Sequence, residues 1–323
     1  MNRFYVFGLL FLALALTSCY HTRVEEVSIN WLYPWDRDAR KMALAVIEED
    51  VELIEELVQS GRVDVNKNAR DDTRFLYIAV SLEKKQSFVK LLDLGADIYW
   101  GNINDSPVFH AAGYHAEVAG DLYYLEEALK RGLDPNFRAK TISRRAIFFP
   151  LKSTMSGHAV KGTMHENYLA KLKLMISYGA DLSLPSTGPS GWYPSGSGTN
   201  VVVNAASRGY FNVVYYLLTK FEDIQYKDYK YPKAKSNEYW RSDVSLLNEV
   251  ERIANSDNWW VPLGRVQEFT YPWFLKTIEW LESRGEVLDI PEDLSHILTI
   301  GRDKMDYIKH YKMDRHGNIT PIE

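Results

Sequence analysis

Apolar positions recur along the first two-thirds of the chain in a fixed frame: two short helical stripes closed by a glycine. Ala45 stands sixteen residues before Gly61, and Ala79 stands sixteen residues before Gly95. Leu53, Ile54, Leu57 and Val58 lie between the first pair, and Val89, Leu91 and Leu92 between the second. Ala205 opens the same frame, with Gly209, Val213, Val214, Leu217 and Leu218 at matching offsets. The i, i+3, i+4 spacing predicts one apolar face on each second helix. Ala43, Ala45 and Ala79 are small enough to let helices approach closely. Gly61, Gly95, Gly132 and Gly179 follow the second helices, where a left-handed residue ends a helix with little strain. One such pair buries too little to stand alone, so each is expected to share its stability with its neighbours. Leu91 and Leu92 are both expected to be buried between units.

The frame is irregular in places. From Ala111 to Gly132 it runs 21 residues, with the extra ones around Tyr114 to Gly120. A fourth unit, from Pro150-Leu151 to Gly179, carries a longer insertion around Ser156 to Glu166. Between Leu184 and Thr199 the chain reads Pro-Ser-Thr-Gly-Pro-Ser-Gly-Trp-Tyr-Pro-Ser-Gly-Ser-Gly, too rich in Gly and Pro for regular structure. Loops of that length concentrate function or motion.

The units resemble the ankyrin family. Asp105-Ser106-Pro107-Val108-Phe109-His110-Ala111-Ala112 is similar to its Thr-Pro-Leu-His-x-Ala-Ala opening. Phe109 falls at the histidine position, so His110 is not the family histidine. Leu76-Tyr77-Ile78-Ala79-Val80 is a second opening, with Tyr77 in that slot. Gly95-Ala96-Asp97-Ile98 and Gly179-Ala180-Asp181-Leu182 resemble the family's Gly-Ala-Asp-Val ending, and Gly132-Leu133-Asp134-Pro135-Asn136 is a looser copy. The resemblance implies an all-α ankyrin-repeat solenoid of about five degenerate repeats over residues 40–225. Residues 226–323 are expected to form an irregular, mostly helical cap that can include a degenerate repeat.

The N-terminus carries a second pattern. Phe4 to Leu16 is apolar or small, about the length of a signal-peptide core and too short to span a bilayer. It ends in Leu16-Thr17-Ser18-Cys19, which resembles the bacterial lipobox. That resemblance implies removal of residues 1–18, acylation of Cys19 (palmitate among its chains) and a tether over 19–39. Cys19 is the only cysteine, so no internal disulfide is available in an oxidising compartment. Several acyl chains, at about 0.8 kcal/mol per buried methylene, hold a protein on a membrane lastingly. Tyr20 follows where inner-membrane retention favours Asp, so by the family's sorting rule the expected location is the outer membrane, facing the periplasm.

Composition adds limits. A formal net charge of −5 gives nucleic-acid binding no support. No H-E-x-x-H, paired cysteines or G-x-S-x-G occurs, and His110/His115 and His158/His165 lack ligand spacing. The reading is therefore a non-enzyme without metal or cofactor. Aromatic content is 13%, with nine Trp and 21 Tyr concentrated in the second half. Trp273, Thr277, Trp280 and Leu281 fit one face of a helix over about residues 272–284.

Ankyrin stacks bind partners through their projecting loops and first helices. The loops here are 66–73, 99–105, 137–145, 184–199 and 225–241. Trp100, Trp192, Tyr193 and Trp240 are their large aromatics, joined by Asn102, Asp105, Arg138 and Lys140 as partner-binding candidates. Lipid-anchored ankyrin proteins resemble periplasmic antagonists of type VI secreted toxins, lipases included. The resemblance therefore implies an immunity protein, or alternatively a periplasmic scaffold for an endogenous enzyme.

Overall fold

The computed structural model describes residues 26–101, 106–137, 164–184, 200–227, 229–230, 243–255, 270–294, 311–313 and 319–321. These fall into two compact units, the first over residues 1–111 and 123–133, the second over 112–122 and 134–323.

The first unit begins with α1 (Glu26–Leu32) and continues through α2 (Arg37–Glu48), α3 (Val51–Gln59), α4 (Phe75–Ser81), α5 (Lys85–Asp93), α6 (Pro107–Phe109) and α7 (Tyr123–Lys130). First helices pack on first helices, α2 on α4 and α4 on α6. Second helices pack on second helices, α3 on α5 and α5 on α7. Ala43, Ala45 and Ala79 are fully buried, as their small size requires. Polar ties run between pairs as well: Ser87 Oγ donates to the Val46 carbonyl at 2.8 Å, and Arg131 Nε meets Asp93 Oδ1 at 2.6 Å. Phe88 of α5 meets Tyr124 of α7 edge-on, with ring centroids 5.1 Å apart.

The apolar stripes are narrower than their spacing suggests. Ile54, Leu57, Phe88 and Leu91 are buried, whereas Leu53, Val58 and Leu92 are only half-buried. A helix wedged between two others hides about one residue per turn completely, and its flanking residues stay at the seam. The expectation that Leu92 is buried with Leu91 is corrected accordingly.

The second helices that precede Gly95, Gly132 and Gly179 end in the same way. Gly95 N–H donates to Leu92 O and Ala96 N–H to Leu91 O; Gly132 and Leu133, and Gly179 and Ala180, repeat the bonds. Gly95 has φ +89°, and a Cβ there would meet no atom within 4 Å. Its constraint is conformation rather than space. Gly95→Ala is expected to lower stability by about 1 kcal/mol, and the chemical denaturation midpoint checks it.

The Asp of each ending has a defined job. Asp64, Asp97, Asp134 and Asp181 each accept, through Oδ1, the N–H two residues on, at 2.9, 2.9, 2.8 and 2.8 Å. This turn presents the next side chain to the following repeat. Asn66 donates to Gly95 O at 3.1 Å and accepts from Asp97 N–H at 2.7 Å. Asn136, in the second unit, bonds Gly179 O at 3.2 Å and Asp181 N–H at 2.8 Å in the same way. Tyr99 takes the equivalent position and reaches Gly132 O with its hydroxyl at 3.3 Å.

The second unit holds α8 (Met164–Ser177), α9 (Val201–Ser207), α10 (Phe211–Lys220), α11 (Leu246–Ala254) and α12 (Tyr271–Ser283). Helix α10 packs on α8, α11 on α9 and α12 on α10. The α11–α12 pair thus occupies repeat positions, and Gly285, with φ +81°, follows α12 as the other glycines follow theirs. On α12 the buried face is Tyr271, Phe274, Leu275, Thr277, Ile278 and Leu281. Trp273 and Trp280 flank that face, half-buried: Trp273 lies against Tyr215 and Lys276, and Trp280 against Tyr226 and Arg284. The expected Trp273/Trp280 face is rotated, because the densely packed α10 admits the smaller residues between them.

Two short antiparallel ribbons also occur. β1 (Tyr229–Lys230) pairs with β2 (Asp243–Val244), and β3 (Tyr311–Met313) with β4 (Ile319–Pro321). Strands of two or three residues are too short to register as alternation in sequence.

The residues added to the third frame are not looped out. His110–Ala119 forms a ten-residue π-helix, wound wider than an α-helix. Such helices are rare, and single turns are the usual form. Gly120 ends it with φ +76°, and a Cβ there would lie 2.9 Å from Asn167 Oδ1. Asn167 Nδ2 donates to Glu117 O at 3.0 Å, so the exit of the wide helix is tied directly to α8.

Candidate partner-binding surface

In the first unit, the loop following Asn66 turns tightly at residues 69–73. Ala69 N–H donates to Thr73 O at 2.7 Å, and Asp72 adopts φ +66° at the tip. The turn delivers Arg74, which immediately precedes α4, onto the neighbouring loop. Arg74 Nε donates to Asn68 Oδ1 at 2.7 Å, and its Nη1 lies 3.6 Å from Asp97 Oδ2. Its guanidinium sits 4.6 Å from the centre of the Trp100 ring. One arginine thus joins two successive loops and fixes a half-buried indole between them. Tyr99, exposed beside it, is held by its hydroxyl on Gly132 O.

This arrangement presents rigid aromatic area flanked by a cation, the composition that dominates binding hot spots. No group of three or more His, Cys, Asp or Glu side chains suited to a metal occurs among the described residues.

Of the sequence-derived candidates, Trp100 is placed by the structure. Asn102, Asp105, Arg138, Lys140, Trp192, Tyr193 and Trp240 lie outside the described residues, as does Cys19. Arg74 escaped the sequence reading because it carries no pattern of its own. Its signal was positional, as the residue between a loop and an opening helix.

A second polar feature is internal to the second unit. Glu117 on the π-helix and Lys171 on α8 form a fully buried ion pair, Nζ to Oε2 2.8 Å. The Lys171 ammonium also lies 4.6 Å from the Tyr168 ring centre. Burial holds the Glu117 carboxyl above its ordinary range, opposed by Lys171 and then Arg208. Burial likewise pushes Lys171 below its ordinary range, opposed by Glu117. Lys171 stands in the stripe His165, Tyr168, Leu172 and Met175, all buried, so the helical period itself marked it as an interior lysine.

No family model matches the chain, and no curated protein matches it. Among solved structures it is similar to an ankyrin repeat domain from Acinetobacter baumannii AYE, at 17% identity and a TM-score of 0.43. That alignment covers 68% of this chain and 90% of that chain. The stacked helix pairs, glycine terminators and aspartate turns define the fold as all-α and of ankyrin-repeat type. Stacked repeats of this kind present an extended surface of recurring elements. No helix among the described residues is long and apolar enough to cross a membrane.

Proposed function

We propose that this chain is a lipid-anchored periplasmic immunity protein that binds and neutralises an envelope-targeting toxin. What supports the proposal is a stack of ankyrin-type repeats that follows Leu16-Thr17-Ser18-Cys19, the tetrapeptide that resembles a lipobox. An antagonist of an envelope toxin must be held where the toxin acts, and acylation at the sole cysteine does that. The partner is a protein, contacted through Trp100 with Tyr99 and Arg74 and through the sequence-derived loop residues. The outer membrane is the proposed site, with the body facing the periplasm.

The test is protection. A toxin and its antagonist are usually encoded by adjacent genes, so cells deleted for this gene are expected to die when the neighbouring gene product is directed to their periplasm, and the wild-type gene is expected to rescue them. Cys19→Ala should leave a precursor or release a soluble form, read by fractionation and N-terminal mass, and should rescue poorly. Survival of the deleted cells, with capture of an endogenous periplasmic enzyme instead, would support the scaffold role in its place.

A further inference from the structure

Two tryptophans near the N-terminus are the exposed ones among the described residues. Trp35 is 96% exposed and Trp31 is 51% exposed. They flank a firmly held corner. Tyr33 between them is buried and stacked on Phe75, with ring centroids 5.3 Å apart. Arg40 Nη1 donates to Tyr33 O at 3.0 Å and to Pro34 O at 2.7 Å. Asp36 caps α2 through Ala39 N–H at 2.8 Å and pairs with Lys67 Nζ at 2.5 Å. Both indoles are therefore projected outward by a locked turn. Arg70, whose N–H donates to Leu32 O at 2.9 Å, sets its guanidinium 5.3 Å from the centre of the Trp31 ring.

The position of these indoles along the chain indicates what covers them. Trp31 lies twelve residues after Cys19 and Trp35 sixteen, and at most about 3.5 Å per residue separates an anchor there from either ring. Indole rings favour the headgroup zone of a bilayer, where one edge is apolar and the other wet. An arginine beside such a ring suits lipid phosphate.

We infer that Trp31, Trp35 and Arg70 form a seat for the phospholipid interface, holding the first repeats against the membrane that carries the anchor. The inference rests on the anchor reading, so its test supplies the anchor chemically. The chain from Cys19 onward is coupled through that cysteine to a maleimide lipid in vesicles of phosphatidylethanolamine and phosphatidylglycerol, with or without brominated acyl chains. Bromine is expected to quench part of the tryptophan emission in the coupled wild type. Replacing both residues (Trp31→Ala with Trp35→Ala) is expected to abolish that quenched component while the protein stays attached and its circular dichroism is unchanged. Arg70→Gln should reduce the quenching in part.

Absence of quenching in the attached wild type would overturn the seat, as would quenching retained in the double variant. Shielding of the two indoles only after a partner protein is added would overturn it in favour of a protein contact. The mass of the protein extracted from its own cells reports separately on acylation of Cys19, so failure of the anchor and failure of the seat are distinguishable.

Discussion

Lys171→Met is expected to destabilise the second unit by roughly 3–5 kcal/mol, the largest loss from any single substitution considered for this chain. The side chains of Lys171 and Glu117 are fully buried, and each has only the other as its close counter-ion among the described residues. Removing the ammonium leaves a fully buried carboxylate with Arg208 as its remaining favourable charge. The double variant, Glu117→Leu with Lys171→Met, is expected to recover most of the loss, because an apolar pair avoids desolvation altogether. Denaturation of the wild type, both single variants and the double variant closes the cycle.

The single variant should also respond to pH with a defined sign. Without Lys171 the folded-state pKa of Glu117 rises further above its unfolded value. A raised carboxyl pKa means the folded state binds the proton more tightly. The deficit is therefore largest at neutral pH and shrinks as pH falls through the raised value toward the ordinary glutamate range. A deficit that is constant with pH would show that lost packing, not stranded charge, causes the instability.

Leu91→Ala is the second large effect, at about 2–5 kcal/mol from lost transfer energy and the cavity left behind. Leu91 is fully buried on α5, and α5 packs on both α3 and α7. The loss should therefore appear as faster hydrogen exchange in both neighbours before it reaches distant helices. Leu92→Ala, at a half-buried seam position, should cost distinctly less. Equal losses at the two positions would contradict the stripe assignment.

The parts of the fold that could be read in the sequence were those with a local cause repeated in register. A left-handed glycine after the second helix, an alanine where helices approach, and an aspartate turning the chain two residues on leave the same mark in the copies that end at Gly61, Gly95, Gly132 and Gly179. Tyr99 could not be read as the counterpart of Asn66, because its bond to the next repeat comes from a phenol rather than an amide. The π-helix was equally hidden. Five additional residues in a frame look the same whether they loop out or widen a helix, and only packing against α8 decides between them. The helix now seen as α12 was legible from its apolar spacing, but its pairing with α11 was foreseen only as a degenerate repeat within the cap, because α11 opens after a ribbon rather than after a Gly-Ala-Asp ending.

The candidate surface was legible only in part. Trp100 followed from loop position and residue type. Arg74, which orients it, depends on Asn68 and Asp97 on separate loops, and no linear spacing encodes that meeting.

Titration of the neighbouring gene product into the mature protein tests the central claim most directly, with affinity and melting temperature measured on the same samples. The variants are Trp100→Ala and the Trp192→Ala, Tyr193→Ala pair. The account predicts weaker binding for both, by at least about 2 kcal/mol for the pair, roughly thirtyfold in Kd. It also predicts nearly unchanged melting, since the contact of Arg74 with an indole at the surface is worth only about 0.5–1 kcal/mol. Undiminished affinity in variants whose melting temperature falls would contradict the account, assigning these aromatics to the body of the protein rather than to its partner.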